Sequence, residues 1–189
     1  MNDHVSFLRQ WAASPLKVAA IAPSGKRLGR LMTEGLDATT APVIELGPGT
    51  GVFTEAMIAR GVPEDSIALV ELNEAFAHGL SAKFPQAQMH NVSATGLSGR
   101  SFFSEPAQAV VSGLGLLAMP EEDVALILQG ALEHLATGGH FIQFTYGPKC
   151  PVPETVLRSL GLKATRVSGT WRNLPPASVY HIVRGENRT

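Results

Sequence analysis

An apolar run from Val43 ends in Glu45-Leu46-Gly47-Pro48-Gly49-Thr50-Gly51, and Glu71 follows twenty residues after Gly51, closing a second apolar run from Ser66 to Val70. Glycine at alternate positions lets a backbone turn approach a ligand with no Cβ in the way. A carboxylate at the end of the next strand can accept hydrogen bonds from both hydroxyls of a ribose. Strand, glycine turn, helix, strand and acid is the layout of an adenosine-cofactor site at the carboxyl edge of a parallel sheet. The spacing is G-x-G-x-G with Pro48 inside the turn, not the G-x-G-x-x-G that serves a pyrophosphate. Glu45, just before the turn, suits a cofactor bearing a sulfonium and an ammonium rather than phosphates.

Such residues need a sheet to hold them, and the rest of the chain supplies one. Residues 5–13 read as a short helix: Val5, Leu8 and Ala12 share a stripe, and Phe7 and Trp11 form an i,i+4 pair. Ser14-Pro15 interrupts it. Pro23-Ser24 reads as a breaker and N-cap before a second helix that runs to Gly35. Strands are then expected over 42–46, 67–71, 87–91, 107–112 and 140–146. Helices are expected over 52–60, 74–83, 121–136 and 152–160, with Gly138-Gly139 ending the third. Residues 163–171 and 178–183 read as two last strands with no helix between them. The pattern predicts an α/β, Rossmann-like domain: a mostly parallel seven-stranded sheet, an antiparallel C-terminal hairpin, helices on both faces and N-terminal amphipathic helices. Residues 1–35 are expected to form a helical segment that lids the site or binds a membrane, and residues 36–189 the domain proper.

Composition narrows the partners. The chain of 189 residues is 44% hydrophobic, enough for one full core. No apolar run approaches the roughly 20 residues that span a bilayer, and Asp3, His4, Ser6, Arg9 and Gln10 interrupt any signal-peptide pattern. One cysteine, Cys150, leaves no internal disulfide, and six scattered histidines have no ligand spacing, so no metal is expected. The cytoplasm is the default compartment. The net charge of −1 hides a segregation. Arg9, Lys17, Lys26, Arg27 and Arg30 face a single acid, Asp3, in residues 1–30. Residues 31–140 hold thirteen acids and three bases, and residues 141–189 hold seven bases and two acids. The basic ends, each carrying a tryptophan (Trp11 and Trp171), fit an anionic surface, and the acidic centre fits a cationic cofactor.

The glycine turn with Glu45 and Glu71 resembles motif I of the class I S-adenosylmethionine-dependent methyltransferases. Four further segments are similar, in type and order, to the bacterial phospholipid N-methyltransferases, which methylate phosphatidylethanolamine and are related to the rRNA adenine dimethyltransferases. They are Ala20-Ile21-Ala22-Pro23-Ser24, Ser112-Gly113-Leu114-Gly115-Leu116-Leu117, Gln143-Phe144-Thr145-Tyr146-Gly147-Pro148 and Trp171-Arg172-Asn173-Leu174-Pro175-Pro176-Ala177. Two positions depart from that family. Gly115 stands where a proline is expected, which implies a looser turn. Ser93 stands where relatives often carry an aspartate for the adenine amine, which implies a weaker contact.

The resemblance implies S-adenosylmethionine as cofactor and S-adenosylhomocysteine as product, held by Glu45, Gly47, Gly49, Thr50, Gly51, Glu71, Leu72, Ser93, Ala94 and Ser112. It implies a phospholipid amine as substrate, methylated in steps toward phosphatidylcholine, with backbone carbonyls around Ser112 to Leu114 and the Tyr146 hydroxyl as its acceptors. Ser112 and Tyr146 are the catalytic candidates. Trp11, Arg9, Lys17, Pro23, Ser24, Tyr146, Arg172 and Asn173 are the candidates for substrate and membrane contact. The implied location is the inner face of the cytoplasmic membrane, with an anionic membrane surface as partner and no nucleic acid or metal. The rRNA relatives carry Asn-Leu-Pro and an aromatic after strand four, where this chain has Leu116 and Leu117, and a basic RNA footprint fits poorly with a pI of 6.6. RNA or other amine methylation is the alternative, and a non-catalytic cofactor- or membrane-binding module is a third reading.

Overall fold

Seven strands make one sheet in the order β3-β2-β1-β4-β5-β7-β6: β1 Val43–Leu46, β2 Ile67–Val70, β3 Gln88–His90, β4 Ala107–Ser112, β5 Leu135–Tyr146, β6 Leu162–Thr170 and β7 Ala177–Arg184. The computed structural model describes residues 22–170 and 176–185. β1 to β5 run parallel, and β7 inserts antiparallel between β5 and β6. The described helices are α1 Ala22–Met32, α2 Val52–Ile58, α3 Glu74–Lys83, α4 Glu121–His134 and α5 Glu154–Ser159. This is the Rossmann-like α/β architecture that the alternating pattern predicts, closing hairpin included.

Every residue of β1 and β2 is buried, because helices cover both faces of the sheet. On one face Leu28 and Met32 of α1, Met57 of α2 and Leu80 of α3 pack with Val43, Leu69, Val111, Ile142 and Val179. On the other, Val124, Ile127, Leu128 and Ala131 of α4 and Val156 of α5 pack with Ile44, Leu46, Val70, Val110 and Phe141. The chain leaves β1 toward β2 and β3, then returns to the other side of β1 for β4. That reversal opens a crevice beyond the carboxyl ends of β1 and β4, where ligands of such sheets bind.

Helix α1 belongs to the core. Arg60 fixes its end: Nη2 donates to the Arg30 carbonyl at 2.9 Å and Nε to Thr33 Oγ1 at 2.9 Å. The helix already includes Ala22, with Pro23 in its first turn, where a missing N–H costs nothing. The expected helix over 5–13, with Arg9 and Trp11, lies outside the described residues, as do Lys17, Trp171, Arg172 and Asn173.

Further boundaries differ from the sequence expectation, among them those of α4 and α5. α4 stops at His134 and the chain turns at once into extended backbone at Leu135 (φ −78°, ψ 134°). Leu135 pairs with Ala107 across a register shift, so Gly138 and Gly139 sit inside the irregular start of β5 rather than capping the helix. α5 is shorter than expected, because Pro153 sets its N-terminal boundary at Glu154.

Candidate active site

The carboxyl ends of the central strands are stitched together by backbone hydrogen bonds. Gly47 N–H donates to the Val70 carbonyl at 2.9 Å and Gly113 N–H to the Leu46 carbonyl at 2.8 Å. A Cβ on Gly113 would stand 2.6 Å from the Gly47 carbonyl oxygen, so the turn after β1 and the loop after β4 pack backbone to backbone. The β1–α2 turn passes through three positive-φ glycines, Gly47, Gly49 and Gly51. A Cβ on Gly49 (φ +57°) would meet nothing within 4 Å, so that face of the turn is open space with glycine backbone beneath it. Thr50 is exposed, and Lys83 of α3 holds it from outside: Nζ donates to the Thr50 carbonyl at 2.9 Å and pairs with Glu55 at 2.8 Å.

Glu71 sits at the end of β2, its carboxylate turned toward this turn. Oε2 accepts from Gly49 N–H at 3.2 Å and Oε1 from Asn73 N–H at 2.8 Å. A carboxylate offers about four lone-pair sites, so acceptor capacity for two ribose hydroxyls remains. Asn91 Nδ2 fixes the same bend by donating to the Glu71 carbonyl at 2.8 Å and the Leu72 carbonyl at 3.1 Å. Leu72 is 70% exposed, an apolar side chain beside an edge built to take a ligand.

Glu45 lies beneath the turn rather than on its open side. It is fully buried, and Oε2 accepts from Thr54 Oγ1 of α2 at 2.6 Å. Burial pushes its carboxyl up to about 8; the Thr54 hydrogen bond opposes this and the Glu71 charge adds to it. Its other oxygen, Oε1, has no hydrogen-bond partner among the described residues. Ser93 is engaged locally: its hydroxyl caps the turn Ala94–Gly96 by accepting from Thr95 N–H at 3.2 Å. Ala94 is half-buried and packs against the core.

The loop after β4 is tighter than the missing proline implies. Leu116 N–H donates to the Leu114 carbonyl at 3.0 Å across Gly115, which has φ −82° and ψ 64°. That is an inverse γ-turn, with φ close to what a proline ring imposes. Ser112 is fully buried, and its hydroxyl accepts from Leu114 N–H at 3.4 Å. Its hydroxyl thereby ties the end of β4 to the loop that follows. The Leu114 carbonyl also accepts from Gln143 Nε2 at 2.9 Å. Leu116 N–H is a second donor to the same carbonyl.

Tyr146, the last residue of β5, is half-buried and makes an edge contact with Phe144 at 5.5 Å between ring centroids. Burial pushes its phenol above the usual range, so it works as a neutral hydroxyl. It lines a small recess with Leu114 to Leu117, Phe144, Thr145 and Pro151. Pro23 and Ser24 fall in the first turn of α1. The sequence reading missed Gln143 and Thr145 as site residues. Their signal was two polar residues inside the buried run Phe141-Ile142-Gln143-Phe144-Thr145. Among the described residues no group of three or more His, Cys, Asp or Glu could hold a metal, and no helix is long and apolar enough to cross a membrane.

No protein-family model matches the chain. It is 29% identical over 186 residues to an ornithine lipid N-methyltransferase from Singulisphaera acidiphila, an alignment that covers 95% of each protein. Among solved structures it is similar to a TehB-like SAM-dependent methyltransferase from Corynebacterium glutamicum (TM-score 0.64, 13% identity, 95% of this chain and 98% of that one). It is also similar to the glycopeptide N-methyltransferase MtfA complexed with S-adenosyl-L-methionine (TM-score 0.62, 14% identity, 85% and 94%). It is similar as well to N-methyltransferase NodS from Bradyrhizobium japonicum (TM-score 0.60, 13% identity, 87% and 98%). These structures share the fold of this chain.

Proposed function

We propose that the protein is an S-adenosylmethionine-dependent N-methyltransferase acting on the headgroup amine of a membrane lipid. The observation that carries this reading is the Glu71 carboxylate, tied to the Gly49 turn and still holding acceptor capacity, at the switch point of the sheet. Near full-length similarity to a lipid N-methyltransferase supports the lipid amine.

Glu71 holds the ribose, the open backbone face at Gly49 receives the rest of the nucleoside side, and Leu72 covers the base. Ser93 and Ala94, on the next loop, flank the base edge with a hydroxyl and a methyl. The bound cofactor supplies an activated methyl on a sulfonium. The protein therefore needs mainly to hold a neutral amine in line behind it. Ethanolamine's amine is largely protonated near neutral pH, so the site must take an ammonium and let a proton go. The neutral hydroxyl of Tyr146 accepts from the amine, and its ring stabilises the methylated cation by roughly 0.5–2 kcal/mol. Phosphatidylethanolamine and its mono- and dimethyl forms are the proposed substrates, leading to phosphatidylcholine. Ornithine lipid, the substrate in the relative's name, offers the same chemistry of an amine on a lipid anchor.

The lipid is reached from the inner face of the cytoplasmic membrane. Within residues 1–35, the proposed lid and membrane-binding segment, α1 packs on the core and the part before it is the portion proposed to meet the anionic surface, through Trp11, Arg9 and Lys17, with Pro23 and Ser24 at the start of α1 and Arg172 and Asn173 near the opposite terminus. The test is transfer of labelled methyl from S-adenosylmethionine to vesicles of phosphatidylethanolamine or ornithine lipid, with free ethanolamine and RNA as controls. Label in the lipid extract supports the reading; label only in RNA or free amine overturns it.

A further inference from the structure

Thr145 is 3% exposed, and its hydroxyl is fully shielded with no hydrogen-bond partner among the described residues. A buried hydroxyl without a partner is destabilising, and proteins rarely keep one without a use. Thr145 is one of the residues that line the recess between the loop after β4 and the end of β5. Apart from the Tyr146 hydroxyl, the remaining wall is apolar: Leu114, Leu116, Leu117, Phe144, the Tyr146 ring and Pro151. Leu114 belongs to two places at once. It lines the recess, and its Cδ2 would lie 2.7 Å from a Cβ on Gly47. The recess is therefore next to the glycine turn, one side chain away. Gln143 holds that wall in place through the Leu114 carbonyl, and its second amide hydrogen goes to the Phe144 carbonyl at 2.8 Å.

We infer that this recess is the amine subsite of the reaction proposed above, and that Thr145 Oγ1 is the acceptor that holds an N–H of the substrate amine. The inference rests on the methyltransferase reading and adds a residue that it does not name. A mainly apolar cup with the Thr145 and Tyr146 hydroxyls as its side-chain acceptors selects by chemistry. A primary ammonium brings three N–H donors, and each added methyl replaces one of them with a group that prefers the leucine, proline and ring surfaces. The fully methylated headgroup has no N–H left, so it loses the hydroxyl contact and keeps only the apolar one. Substrates with an N–H are thereby held more tightly than the quaternary product.

The test uses the full chain with Thr145→Val, which keeps the shape and removes the hydroxyl, and Thr145→Ser, which keeps the hydroxyl. Three quantities are read: melting temperature, affinity for S-adenosylmethionine by calorimetry, and KM for phosphatidylethanolamine vesicles, ornithine lipid vesicles and free ethanolamine. The expected result for Thr145→Val is a melting temperature equal to or above wild type, unchanged cofactor affinity, and a KM raised about tenfold or more for the preferred amine. Thr145→Ser is expected to keep the wild-type KM. The lipid whose KM rises identifies the headgroup. A wild-type KM in Thr145→Val overturns the inference, and so does a joint fall of melting temperature and cofactor affinity, which marks a structural hydroxyl. If Thr145→Val does not fold, a raised KM in Thr145→Ser with intact cofactor affinity counts against the inference and a wild-type KM supports it. Absence of methyl transfer by the wild type to any lipid amine, with cofactor still bound, defeats the lipid reading itself and this subsite with it.

Discussion

Glu71 reaches back from the end of β2 to Gly49 in the turn after β1, its Oε2 accepting the Gly49 backbone N–H at 3.2 Å while Oε1 takes Asn73 N–H at 2.8 Å. One carboxylate thus fixes the turn that faces the ligand and the bend that follows the second strand.

Glu71→Ala is expected to lower affinity for S-adenosylmethionine at least tenfold. Loss of hydrogen bonds to a charged acceptor is worth roughly 1.5–3 kcal/mol. The variant also frees two backbone donors, so a modest drop in melting temperature accompanies the loss. Calorimetry at saturating cofactor gives the affinity and thermal unfolding the stability. Wild-type affinity in the variant removes Glu71 from the site.

Gly115→Pro is expected to stabilise the protein by about 0.4–1 kcal/mol, because the residue already has φ −82° and proline only restricts the unfolded chain. Its N–H makes no hydrogen bond among those described. Urea unfolding measures the change as a shifted midpoint with an unchanged slope; destabilisation of 1 kcal/mol or more shows that the γ-turn is not the solution conformation.

Glu45 gives a pH dependence of definite sign. Burial raises its carboxyl from 4.5 to about 8. Between those values the folded protein keeps a proton that the unfolded chain has lost. Stability therefore falls as pH rises across that window and levels off above it. Glu45→Gln keeps the shape and the acceptor for Thr54 and cannot ionise. Its melting temperature is expected to change less than that of the wild type between pH 5 and about 8. Parallel melting curves for the two proteins exclude Glu45 as the source.

The N-terminal segment is expected to carry membrane binding. The sequence places the apolar residues Phe7, Leu8 and Trp11 in this segment, and each base near an anionic surface contributes about 1 kcal/mol. Deletion of residues 2–13 is expected to abolish flotation with phosphatidylglycerol or cardiolipin vesicles, and added salt to weaken wild-type binding. Continued flotation of the truncated protein shifts the anchor to the basic C-terminal segment.

The glycine turn, an acid at the end of the second strand and the succession of strands and helices were legible because each rests on local rules: glycine spacing, an acid ending an apolar run, and β–α alternation. What the sequence hid was tertiary. The Thr54 hydroxyl that α2 places beside Glu45 is not visible in sequence. Nor is the full burial of Ser112 at the end of β4. Gly115 reads as a loosening of its loop, because sequence gives no φ angle. Gly138-Gly139 reads as a helix stop, since the pairing of Leu135 with Ala107 is a contact between strands far apart in the chain. Thr145 and Gln143 interrupt an apolar strand in plain view. Only the structure shows that the hydroxyl of one is left without a partner beside the loop that the other holds.

The most direct test of the central claim is to follow the methyl group itself. The protein is incubated with S-adenosylmethionine carrying a ¹³C-labelled methyl and vesicles that contain phosphatidylethanolamine and ornithine lipid, and the extracted lipids are fragmented in a mass spectrometer. The account predicts labelled methyl increments confined to the headgroup-amine fragment, absent in Glu71→Ala. Label on an acyl chain or an oxygen, or no label in either lipid from a protein shown to bind the cofactor, contradicts it.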